Sequence, residues 1–168
     1  LLIYILARSQ KTFLERVDVS RLPDKFNNVL VAVMLMTLLQ VVMGTQVREA
    51  VDMIANQHAY IDRQYWRDDF PIIFYVHRSF SAVILFTNAW LFWKIFQRFD
   101  RASLIFKVGL LLMGLIVTAI IAGISLDRLG VPPVAQPIHL LMANLIFGTQ
   151  FFLYIYLLYS KASSLDEV

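Results

Sequence analysis

The chain has 168 residues, 59% of them hydrophobic and only 16% charged, with a mean hydropathy of +0.66. A water-soluble domain could not bury so many long apolar runs, so the composition excludes an ordinary soluble fold and makes lipid the main solvent. The net charge of +3 comes without a basic stripe interleaved with aromatics, which argues against nucleic acid as a partner; the absence of cysteine removes disulfides, thiolate metal sites and cysteine nucleophiles.

The chain opens on Leu1–Ala7, apolar and without a methionine, then turns basic at Arg8. So short a run cannot span a bilayer and lacks the basic start of a signal peptide, so residues 1–7 read as the end of a preceding transmembrane helix, with more protein expected upstream. Residues 8–28 read as a charged linker. Four segments of spanning length follow: Val29–Val47, Phe70–Trp93, Leu104–Leu126 and Val134–Tyr159. Each is apolar around its whole circumference and too long for a barrel strand. The stretch Arg48–Asp69 is polar and reads as a connection, Gln97–Ser103 and Asp127–Pro133 are short turns, and 161–168 is a tail. Short connections favour antiparallel neighbours. The expected fold is all-α: an integral membrane, up-down-up-down four-helix bundle over residues 29–160.

Orientation follows from the basic residues. Ten lie on the face of the N-terminal linker (Arg8, Lys11, Arg16, Arg21, Lys25, Lys94, Arg98, Arg101, Lys107, Lys161) and five on the other (Arg48, Arg63, Arg67, Arg78, Arg128). The positive-inside rule makes the first face the inner one of a cell (plasma) membrane or its organellar equivalent. Tyr65 and Trp66 on one side, with Trp90, Trp93 and Tyr159 on the other, suit interfacial belts.

Two histidines stand inside these segments. Ionisable side chains at membrane depth are costly and usually face a partner within the bundle. His77 is expected roughly 9–10 Å below the outer start of its helix and His139 roughly 7–8 Å below its own. Both helices run in the same direction, so the imidazoles share a depth and could hold a haem iron from both sides. Small residues gather there: Gly44, the Ala119/Gly123 pair, Ser81 one turn below His77 and Ala143 one turn below His139. Arg48 and Arg78 sit at the right level for haem propionates, with Gln46 and Gln136 as further donors; the arginines could equally snorkel to the headgroups. Each histidine alone could be an interhelical hydrogen-bond donor. His58 reads as a solvated loop residue, Gln40 and Asn88 as interhelical glue, Gly109 and Gly114 as close-packing positions, and Glu49 as an ion-pair partner of Arg48 or a proton acceptor. The methionines, Met142 included, read as packing residues. No other metal cluster, phosphate loop or serine–histidine–acid arrangement stands out.

The segments Leu39–Glu49 (LQVVMGTQVRE), Tyr75–Ser81 (YVHRSFS) and Gln136–Leu140 (QPIHL), in that order, resemble the haem A synthase family, and the match resembles the C-terminal half of the bacterial form. The resemblance implies an eight-helix protein of two pseudo-symmetric four-helix bundles, of which this chain is the second. It implies that His77 and His139 are axial ligands of a haem b that passes electrons, while haem O is bound and its C8 methyl oxidised to a formyl group in the first half. The catalytic acid of that half has no counterpart here, so no catalytic residue is expected in this chain. Haem O synthase or an oxidase assembly factor is the implied partner. The alternative is a membrane cytochrome b subunit that only relays electrons; a haem-free helical scaffold is a third reading.

Overall fold

The computed structural model describes residues 4–5, 17–58, 66–129 and 131–165. Four helices dominate: α1 (Phe26–Gln57), α2 (Ile72–Arg98), α3 (Leu104–Arg128) and α4 (Ala135–Leu165), with short 3-10 turns at Val19–Arg21 and Trp66–Asp69 and no strand among the described residues. Each helix is long and apolar enough to cross a membrane. That is the predicted all-α architecture, and it is the form in which a backbone can satisfy its own hydrogen bonds in lipid. The predicted helix end at residues 1–7 lies outside the described residues except for positions 4 and 5, both helical.

Local chemistry sets the helix limits. Asp18 opens the first 3-10 turn by accepting from the Ser20 amide at 3.1 Å and the Ser20 hydroxyl at 2.5 Å, and the hydroxyl bond holds its carboxyl below the usual range. Asp100 accepts from the Ala102 amide at 2.7 Å and Ser103 caps α3, which together turn the chain sharply between α2 and α3. Pro71 precedes the first residue of α2, where a missing N–H costs nothing. Val131 sits at φ 57° before Pro132, with its amide donating to the Leu126 carbonyl at 3.1 Å. A β-branched residue in the left-handed region is strained.

The first helix departs from expectation. At 32 residues α1 is about 48 Å long, against the roughly 30 Å of a hydrocarbon core. It carries on through Arg48–Gln57, which sequence polarity assigned to a connection. The extension is amphipathic: Arg48, Glu49 and Asp52 are exposed, while Val51, Ile54 and Ala55 are buried with Trp66. Trp66, expected in an interfacial belt, is 3% exposed and belongs to this cluster; Tyr65 lies outside the described residues. Trp90 and Trp93 are exposed as expected. Helix α4 likewise continues to Leu165, past the predicted tail boundary.

The helices pack in a ring, each against its chain neighbours and α1 against α4, so that α1/α3 and α2/α4 are the diagonals. The two hairpins repeat each other. On α2 the inward positions are His77, Ser81, Ile84, Asn88, Leu91 and Ile95; at a constant offset of 62, α4 carries His139, Ala143, Ile146, Gln150, Leu153 and Leu157. On α1, Phe26, Leu30, Val33, Thr37 and Met43 correspond to Ile105, Gly109, Leu112, Ile116 and Ala122 on α3, all of them buried. Packing is dense at the end away from the histidines, where Leu30, Val33, Leu91, Ile95, Ile105, Leu153 and Leu157 are at most 1% exposed. At the other end it loosens. Helix α2 buries no residue before Ile84, and α4 none before Ile146.

Candidate functional site

In the loose end of the bundle His77 and His139 face each other across the α2/α4 diagonal. Their ring centres are 6.3 Å apart and their planes are inclined at 67°. The other diagonal supplies two glycines. A Cβ on Gly44 would lie 3.3 Å from His77 Cε1, and one on Gly123 would lie 3.3 Å from His139 Cε1. Each histidine therefore rests on a glycine of the helix that precedes it in the chain. This is why the sequence places small residues at this depth: an ordinary side chain would push the ring across the space between the hairpins.

One turn from each glycine, toward the dense end, the chain holds the ring. His139 Nδ1 donates to the Ala119 carbonyl at 2.9 Å. A carbonyl can only accept, so the proton is on Nδ1 and the lone pair is on Nε2. At the matching place on α1, the Gln40 amide nitrogen donates to the His77 carbonyl at 3.0 Å and approaches His77 Nε2 at 3.4 Å. An amide N–H can only donate, so here too Nε2 offers the lone pair and Nδ1 carries the proton. Both imidazoles thus stand in the Nδ1–H tautomer with the lone pair on Nε2, and on His77 that lone pair faces the Gln40 amide.

The remaining predicted residues divide. Ser81 and Ala143 are partly buried beneath the histidines, and the Ser81 hydroxyl donates to the Arg78 carbonyl at 2.6 Å. Arg78 does not hang free at the surface: it reaches Asp127 of α3 at 3.1 Å, and that carboxylate is only 8% exposed. Arg48 is exposed and pairs with Asp52 at 3.7 Å, one turn along its own helix, and not with Glu49. Neither arginine is fixed by the other hairpin's histidine. His58, read as solvated, contacts Asp69 at 2.8 Å and ties the end of α1 to the turn at Trp66. Gln136 lines a shallow depression of about 180 Å³ with Val51, Asp52, Ala55, Trp66, Val131 and Pro133, whereas Gln46 is exposed. Met142 packs against Leu112, Ile116, Ala119 and Ile146. Gly109 is tightly enclosed, an added Cβ meeting Phe92 at 2.9 Å, but Gly114 faces open space and is no packing position.

Gln40 and Asn88 do act between helices, as expected. Asn88 is bonded by Gln150, which sequence reasoning missed, at 3.2 Å across the α2/α4 diagonal, with both residues at most 1% exposed. Asp127 was missed as well. The 62-residue offset that carries His77 to His139 and Asn88 to Gln150 was the signal that could have found Gln150. Among the described residues no group of three or more His, Cys, Asp or Glu converges, so the histidine pair has no carboxylate or thiolate companions for a non-haem centre.

A model of cytochrome oxidase assembly proteins, COX15-CtaA, matches residues 1–151. The chain belongs to this family. The family is that of the haem A synthases, and its members act in supplying haem A to cytochrome oxidase. No curated protein and no solved structure matches the chain. The matched residues include all of α1, α2 and α3 and both histidines of the pair, so membership rests on the bundle that holds the site.

Proposed function

We propose that this bundle holds a haem b between His77 and His139 and relays electrons in haem A synthesis. The observation that carries the reading is the spacing of the two rings. A bond of about 2 Å from an imidazole nitrogen to a first-row metal, plus roughly 1 Å from that nitrogen to the ring centre, sets two rings on one iron about 6 Å apart. The rings stand 6.3 Å apart. Glycines behind both rings, the Nδ1–H tautomer of both and the loosened end of the bundle suit a flat macrocycle entering between the hairpins.

A haem bound here would supply one-electron transfer. The chain's own residues do the rest. His139 is fixed by the Ala119 carbonyl, and a histidine whose second nitrogen donates to a carbonyl is a stronger ligand held in one orientation. Gln40 anchors the main chain of His77. The Ile84/Ile146 layer below the histidines and the dense end below that keep water from the site. Arg48 and Arg78 supply cationic charge at the level where propionates would emerge, Arg78 by sharing Asp127.

In this reading the electrons serve oxidation of the C8 methyl of haem O to a formyl group, with haem O as substrate and haem O synthase or an oxidase assembly factor as partner. The excess of lysine and arginine at the dense end supports a plasma-membrane orientation with the histidines near the outer face. The test is conversion of haem O to haem A by the intact protein. His77→Ala and His139→Ala should each abolish it together with the b-haem spectrum; conversion that persists after the spectrum is lost would overturn the relay.

A further inference from the structure

The two halves of the site differ in how each ring proton is satisfied. His139 Nδ1–H has the Ala119 carbonyl. His77 Nδ1 is buried and has no hydrogen-bond partner; Gln40 Oε1, on the side chain that already contacts His77, is also buried and also without one. A donor and an acceptor of complementary kind are thus left unsatisfied on two side chains in contact. Unmade buried hydrogen bonds of this sort cost about 1–3 kcal/mol each, and such a pair has an obvious remedy. The present contact from the Gln40 amide nitrogen is to His77 Nε2, the lone pair that a metal would take.

Resting on the haem reading above, we infer that Gln40 is the positioning residue of His77: with Nε2 given to a metal, Gln40 Oε1 would be the acceptor of the Nδ1 proton. Side-chain amide and imidazole then do for His77 what main-chain carbonyl and imidazole do for His139. The amide contact to Nε2 holds the ring in the tautomer whose Nε2 can bind a metal. Gln40 touches no reacting atom in this scheme. It acts through His77, on the electron density of the iron, because a ligand imidazole whose N–H is accepted is the better donor and stabilises the ferric state.

The experiment is a redox titration of the haem in the full-length protein, with low-temperature electron paramagnetic resonance on the oxidised form. Wild type must first show a low-spin b haem; without it the haem reading itself fails and not only the role of Gln40. Given that signal, Gln40→Leu, which removes the acceptor, should raise the reduction potential. Gln40→Glu, which keeps an oxygen in place and adds charge, should lower it. Shifts in opposite directions support the inference. A potential that is unchanged or lowered in Gln40→Leu, or unchanged or raised in Gln40→Glu, overturns it and hands the ring proton to the Gln40 main-chain carbonyl, the counterpart of Ala119. If Gln40→Leu retains no haem, the Glu variant decides alone by the same criterion.

Discussion

Gly44, Gly123 and Gly114 lie in similar apolar sequence, yet a side chain would meet a histidine ring at the first two and nothing at the third. Replacing Gly44 by leucine puts a branched side chain where His77 Cε1 now rests, and overpacking of this kind costs about 1–3 kcal/mol unless the ring moves. In a loosely packed end the ring moves first. Gly44→Leu should therefore lose most of the b haem while the helices and the dense end persist, and Gly114→Leu should retain haem at the wild-type level; haem per protein and far-ultraviolet circular dichroism on the two variants check this. The histidines and their glycines were legible in the sequence because ionisable and tiny residues are conspicuous in a run of Leu, Ile, Val and Phe. Gly114 was not separable from Gly109 in the same way. Which side of a helix faces a neighbour depends on the helix's rotation in the bundle, and a uniformly apolar segment carries no stripe from which to read it.

At the level of elements, the same uniform apolarity hid the inward register of α4 and with it Gln150. The Asn88–Gln150 bond is a polar layer in an apolar stack, with Ile84 and Ile146 on one side and Leu91 and Leu153 on the other. Interhelical bonds in membranes are worth about 1 kcal/mol, whereas leaving one partner behind adds the cost of an unsatisfied buried amide. Asn88→Leu or Gln150→Leu alone should each destabilise the bundle by about 1–3 kcal/mol. The double leucine variant should lose less than the sum of the two, as read by thermal unfolding in detergent; strict additivity would mean that the two amides do not act as a pair. The extension of α1 past Val47 was missed for the opposite reason. Its charges drew the eye to a loop, while Val47, Val51, Ile54 and Ala55, at i, i+4, i+7 and i+8, wrote one face of a helix.

For the molecule as a whole, length, composition and four long apolar runs sufficed for the four-helix membrane fold, because lipid admits so few alternatives. The duplication was visible in principle as a 62-residue offset but weak in identity: between His77–Asn88 and His139–Gln150 only the histidine, Ile84/Ile146 and Thr87/Thr149 are the same residue. What the fold adds is the meaning of that offset. Two similar hairpins set like residues on opposite corners of a square, and a ligand that binds two identical groups from opposite sides fits such a square on its axis. The dense end fixes the hairpins against each other, the end that holds the histidines is where the proposed ligand would enter, and the extension of α1 packs against Trp66.

The central claim is that one haem is held by both hairpins at once, through His77 and His139. Electron paramagnetic resonance of the oxidised, detergent-solubilised protein addresses it most directly. The account predicts a single low-spin ferric signal of bis-imidazole type that is lost in His77→Ala and, separately, in His139→Ala. A low-spin signal that survives unchanged in either variant, or a wild-type haem that is high-spin, would contradict it.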